Sequence, residues 1–212
     1  MALSKIDVAN MLTGTTPVAN GGTGVTSADA IGNLVKISSQ TISSGTASVE
    51  FTSGIDSTYK IHMFRLNAIH SGGGNTEITF APSTNNDGTG YGIATTCNFG
   101  NGYSQEGGTA SAWTNESSFD SHNDSGNIPI TRANGTGNDE IQSVDMICYD
   151  WSNTTYVKPF NAFGVGYHQA DYSIQSFVGG FVNTTSAIQS IRFKLNSGTL
   201  DDGVITLYGV KT

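Results

Sequence analysis

The residues able to do chemistry in this chain are few and widely spaced. Its four histidines, His62, His70, His122 and His168, are the usual candidates for a general base or a metal ligand. His62 and His70 share one side of a strand-like run with Phe64 and Leu66, which reads as packing or strand-end histidines rather than a dyad. Asp120-Ser-His122-Asn-Asp124 brings carboxylates and an imidazole close together, and on an irregular loop these could converge on a cation. A solvated polar loop is the simpler account of the same residues. Asn85-Asn-Asp-Gly88 and Asp201-Asp-Gly203 carry oxygen ligands but lack the alternation and terminal Glu of a calcium loop, so both read as turns. A polysaccharide-cleaving spike would need paired carboxylates at a fixed separation, whereas Glu50, Glu77, Glu106, Glu116 and Glu140 are scattered. No Gly-x-Ser-x-Gly, zinc-ligand helix or phosphate loop occurs. The expectation is a protein that is not an enzyme and takes no cofactor, with Asp120, His122 and Asp124 as the only metal candidates.

Aromatic residues offer a different chemistry. Trp and Tyr rings are platforms for sugars because pyranose C–H groups pack on the π face. Trp113, with Tyr103 nearby and Phe119 beyond, forms the candidate glycan contact. The competing account is that Trp113 and Phe119 anchor a long loop to the body or to a neighbouring subunit. Exposure decides between them.

The elements that position these residues are strands. Charged residues make up only 12% of the 212 positions, Gly contributes 27, and Thr, Ser and Asn dominate the polar set. Thr is β-branched and fits a pleated surface, while Gly, Asn and Ser supply tight turns. From Val35 onward the apolar period is two, predicting strands near Val35 to Ile42, Ala47 to Phe51, Tyr59 to His70, Glu77 to Ala81, Gly92 to Phe99, Ile141 to Trp151, Pro159 to His168, Tyr172 to Val182, Ile188 to Leu195 and Val204 to Val210. Ile191, Phe193 and Leu195 alternate with outward Ser190, Arg192 and Lys194, as in a half-buried antiparallel strand. Apolar groups on both sides of Tyr59 to Ala68 predict a central strand covered on both faces. Ser83 to Tyr91 and Gly100 to Asn138 read as long loops, the second holding Trp113, Phe119 and His122. The class expected is all-β, an antiparallel β-sandwich of jelly-roll type spanning residues 36–212.

Charge and cysteine content narrow the setting. A net charge of −8 opposes binding to a phosphate backbone, so nucleic acid is not an expected partner. The start, Met-Ala-Leu-Ser-Lys-Ile-Asp, has no basic and apolar export signal, and no run approaches ~18 apolar residues, so synthesis in a cytoplasm without membrane insertion is expected. A secreted carbohydrate-binding module would share the sandwich but should carry that signal. Cys97 and Cys148 sit in apolar stretches and read as buried free thiols.

Residues 1–35 differ from the rest, because single apolar residues are separated by Gly, Thr and Asn. They predict an extended arm that gains order from partners, with a short helix at Ser27 to Leu34, where Ala28, Ile31 and Leu34 share a side. Within the arm, Thr16-Pro17-Val18-Ala19-Asn20-Gly21-Gly22-Thr23-Gly24 resembles a stretch common in bacteriophage tail-fibre proteins. Ile188 to Phe193 and Gly203 to Val210 are similar to the closing strands of small phage β-sandwich modules. The resemblance covers a small part of the chain and departs from long fibres, since no repetitive shaft, sustained heptads or His-x-His pair is present. It implies a virion component, a short tail fibre or spike that is usually trimeric, docked through Pro17 to Gly24 to other virion proteins. Its head loops would then face host-surface polysaccharide. The alternative it leaves open is a capsid decoration or head-fibre subunit.

Overall fold

In the computed structural model, residues 33–211 are described. The arm Pro17 to Gly24 lies outside them, as does all of the expected helix except its last two residues, of which Leu34 opens a strand instead. Thirteen strands follow in order: β1 (Leu34–Ile42), β2 (Val49–Phe51), β3 (Ile61–Ser71), β4 (Ile78–Ser83), β5 (Thr95–Gln105), β6 (Ser111–Asn115), β7 (Ser121–Asp124), β8 (Ile128–Pro129), β9 (Ile141–Tyr149), β10 (Lys158–His168), β11 (Tyr172–Val182), β12 (Ser190–Leu195) and β13 (Leu200–Val210). The only described helix is a single 3-10 turn at Ser117–Phe119. Among the described residues no helix is long and apolar enough to cross a membrane.

The protein is an all-β sandwich of two unequal antiparallel sheets. The large one runs β1-β13-β3-β9-β10-β11-β5-β6, with β7 also on β5, and the small one runs β2-β12-β4-β8. If β5–β7 and β10–β11 are set aside as insertions, eight strands remain. The first pairs the last (β1·β13), the second the seventh (β2·β12), the third the sixth (β3·β9) and the fourth the fifth (β4·β8). That nested pairing is the jelly-roll order. The insertions widen only the large sheet, through β10, β11, β5 and β6.

The core lies between the sheets, where Phe51, Phe64 and Phe193 meet with ring centroids 5.3–6.5 Å apart and Phe80 meets Phe160 at 4.9 Å. Trp151 is fully buried, its indole N–H donating to the Pro159 carbonyl (2.9 Å). Lys158 is buried too, its ammonium held by the backbone carbonyls of Tyr156 and Thr185. Cys97 and Cys148 are buried free thiols.

Three expectations need correction. β3 is central, between β13 and β9, but only its inward row is sealed: Phe64 and Leu66 are buried, whereas Arg65 and Asn67 face solvent. A register shift between Leu66 and Ile69, with Ala68 at φ 51°, then turns Ile69 inward. Asp201-Asp-Gly203 is not a turn but an irregularity inside β13, where the register shifts on either side of Asp202. Gly100 to Asn138 is not one long loop. It contains the second half of β5 and all of β6, β7 and β8, which were hidden because Gly, Asn and Ser break the apolar alternation.

Candidate functional site

β5 carries different residues on its two faces. Thr95, Cys97 and Phe99 point into the core, and the same row continues through Asn101 to Tyr103. Gly100 and Gly102 lie on the opposite, outer face, where the β6 register places Asn115 and Trp113 beside them. The corner of the large sheet formed by β11, β5 and β6 therefore offers a surface on each side.

On the outer side, Trp113 is 62% exposed. A β-carbon at Gly102 would fall 2.6 Å from Trp113 Cζ3, so the ring lies against the glycine backbone with its other face open. Ala112, Trp113, Gly102 and Gln175 border a shallow cleft of about 200 Å³ here. Farther along the same face Phe177 and its register partner Phe163 are 49% and 42% exposed, with Val165 beside them at 43%.

Tyr103 instead faces inward, packing edge-on to Tyr172 at 5.4 Å. It lines a second, larger cleft of about 320 Å³ together with Asn101, Glu116, Arg132, His168 and Tyr172. The chain leaving β8 crosses this inner face: Arg132 N–H donates to Ser176 Oγ (3.1 Å), and its carbonyl accepts from Gln142 Nε2 (2.9 Å). Its guanidinium meets Glu116 at 3.3 Å and stacks over Phe119 at 5.1 Å. Burial, reinforced by the charge of Arg132, holds the His168 imidazole below the ordinary histidine pKa. His168 Nδ1 accepts the Ala170 N–H (3.1 Å), leaving the proton on Nε2.

The sequence candidates therefore separate. Trp113 is an exposed platform, Tyr103 packs its ring on Tyr172 at the inner cleft while also bordering the Trp113 cleft, and Phe119 is an anchor, packed against Phe99 at 5.2 Å and under Arg132. Asp120, His122 and Asp124 are not drawn together. Asp120 accepts the Phe99 N–H (2.7 Å), and Asp124 accepts the His122 N–H (2.9 Å) within its own turn. Among the described residues no group of at least three His, Cys, Asp or Glu side chains could hold a metal ion. His62 is fully buried, and His70 bridges Asp201 (3.2 Å) and the Gly137 carbonyl (3.0 Å), so the two form no dyad. Asn101, Arg132 and Tyr172 escaped the sequence reading, and Glu116 and His168, singled out by type, were not grouped with them, because the five come from separate segments. The one local signal was a polar Asn101 inside the inward row of β5.

No protein-family model, curated protein or solved structure matches this chain. The functional reading rests on the site itself and on the stretch Pro17 to Gly24.

Proposed function

We propose that this chain is a structural, non-catalytic subunit of a bacteriophage virion, a short tail fibre or spike that assembles as a homotrimer. Residues Pro17 to Gly24 dock it to other virion proteins, and the jelly-roll head meets host-surface polysaccharide. The observation that carries the recognition half is Trp113, an exposed indole backed by glycine on the edge strand β6. A rigid, solvent-facing aromatic is poorly explained by folding and well suited to a sugar face. Position supports the same reading. β1, where the arm joins, is one edge of the large sheet and β6 is the other, about 34 Å away at ~4.8 Å per strand. Weak single contacts at β6 would be multiplied by a multimeric particle.

The test is adsorption of the purified protein to host cells and to isolated surface polysaccharide. Binding that Trp113→Ala weakens at least tenfold, with unfolding unchanged, is the expected result; adsorption indifferent to Trp113 would sink this reading. A second reading, a capsid decoration or head-fibre subunit, is favoured by the exposed Phe163–Phe177 pair, a surface suited to a protein neighbour. It predicts tight binding to empty capsids and none to cells.

A further inference from the structure

We propose that the inner cleft between β5, β6 and β11 binds a single uncharged pyranose, with Asn101, Tyr103, Glu116, Arg132, His168 and Tyr172 as its contacts. The inference deepens the saccharide-recognition half of the proposed function, but it uses the face of the sheet opposite Trp113.

The first observation is Asn101. It is only 4% exposed, in the inward row it shares with Thr95, Cys97 and Phe99, and its Oδ1 makes no hydrogen bond within the chain. A buried amide oxygen without a donor loses its hydration and gains nothing in return, so this side chain is unfavourable for folding alone. A donor arriving from the cleft it lines removes that cost. The Arg132 Nε, also buried, lacks an acceptor within the chain while its guanidinium is pinned between Glu116 and the Phe119 ring. The wall of the cleft thus holds an unmet acceptor and an unmet donor, both covered by neighbouring atoms, and a hydroxyl group that reaches them satisfies both kinds.

The second observation is the wall. Tyr103, Tyr172 and His168 form a chain of edge-to-face rings, with interplanar angles of 88° and 71°. Neither adjoining pair lies parallel, so neither grips a flat base as a stacked slot. They offer ring faces and edges to a puckered, C–H-rich body. A volume of about 320 Å³ suits a small ring rather than an extended chain.

Charge decides between neutral and acidic sugars. Arg132 would attract a carboxylate, but Glu116 already sits 3.3 Å from it and faces the same cleft. His168 contributes its Nε2–H as an uncharged donor. With a net charge of −8 the chain as a whole also repels anions.

The test is an amide NMR titration of the full chain with methyl glucoside, methyl galactoside, methyl mannoside and N-acetylglucosamine, with glucuronate and adenosine alongside. The expected result is saturable, millimolar-range shifts at Asn101, Tyr103 and Arg132 from at least one neutral sugar. Asn101→Ala and Tyr172→Ala should each weaken that binding at least tenfold, and Trp113→Ala should leave it within twofold. The same spectra report whether each variant is folded; Tyr172, only half-buried, serves if the Asn101 variant is not. Silence from all four neutral sugars, shifts centred on Trp113 and Gln175, or tighter binding of glucuronate or adenosine would each overturn the inference. Trp113-dependent adsorption with a silent cleft would leave the proposed function standing and remove only this site; an occupied cleft without adsorption would do the reverse.

Discussion

Trp113 rests on Gly102, its register partner across the β5–β6 ladder, and the fit depends on the missing side chain: a β-carbon there would lie 2.6 Å from Cζ3 of the indole. Gly102→Ala should therefore lift the ring without unfolding the sheet, since an exposed edge side chain can swing away. The other tryptophan, Trp151, is fully buried, so iodide quenching of fluorescence reports Trp113 alone. Quenching should be strong in the parent, change in Gly102→Ala and vanish in Trp113→Ala. Identical quenching in the parent and Gly102→Ala would mean the ring does not use the glycine.

Gly180 and Gly179 make a contrasting pair. A β-carbon at Gly180 would sit 2.6 Å from Cys97 Cβ and press on the β5 backbone, whereas nothing lies within 4 Å at Gly179. Gly180→Ala should cost roughly 1–3 kcal/mol or more through overpacking, a fall in melting temperature of roughly 3–10 °C. Gly179→Ala should melt with the parent. Equal melting of the two variants would contradict the described approach of β11 to β5.

His62 makes stability depend on pH. It is fully buried, neither ring nitrogen has a partner at hydrogen-bonding geometry, and burial lowers its pKa despite the pull of Asp56. With the folded value below the unfolded one, its contribution is complete above about 6.5 and is lost as pH falls toward the folded value, at up to about 1.4 kcal/mol per pH unit. His168, shifted the same way, adds to the loss. Glu77, raised by burial, opposes it at the acid end, because its folded form holds the proton longer. Urea midpoints should fall between pH 7 and 5, and His62→Phe should flatten part of that slope. A parent midpoint unchanged over this range would rule the effect out.

The two thiols should be inert in the folded chain. Burial pushes Cys97 up to about 11 and raises Cys148 well above the ordinary thiol value, so neither supplies appreciable thiolate at pH 8. A chromogenic disulfide reagent should react with neither until denaturant is added, and then with both. Rapid labelling of the native protein would show that β5 or β9 opens locally.

What could be read from the sequence followed the apolar alternation. Ile191 to Leu195 announces itself because its inward residues are apolar and the stretches flanking it are rich in Asn, Ser and Thr. The end of β5 and the whole of β6 did not, because their pairing is secured by backbone ladders under glycine, asparagine and serine, with one tryptophan covering the gap. The same limit applied to the site. Trp113 and Tyr103 could be singled out by type, but their opposite faces follow from a strand register no local pattern encodes. Arg132 reaches Glu116 only because the chain after β8 crosses the sheet.

The nested pairing of the strands also fixes when the head can close during synthesis. Among the described strands β1 pairs β13 alone, and the Ser39–Thr206 hydrogen bond between them spans a sequence separation of 167. At roughly 5–20 residues per second, a ribosome leaves the β1 edge waiting for about 8–35 seconds. Its unbroken polar run Ser38, Ser39, Gln40 and Thr41 leaves that half of the edge poorly suited to sticking to other nascent chains meanwhile.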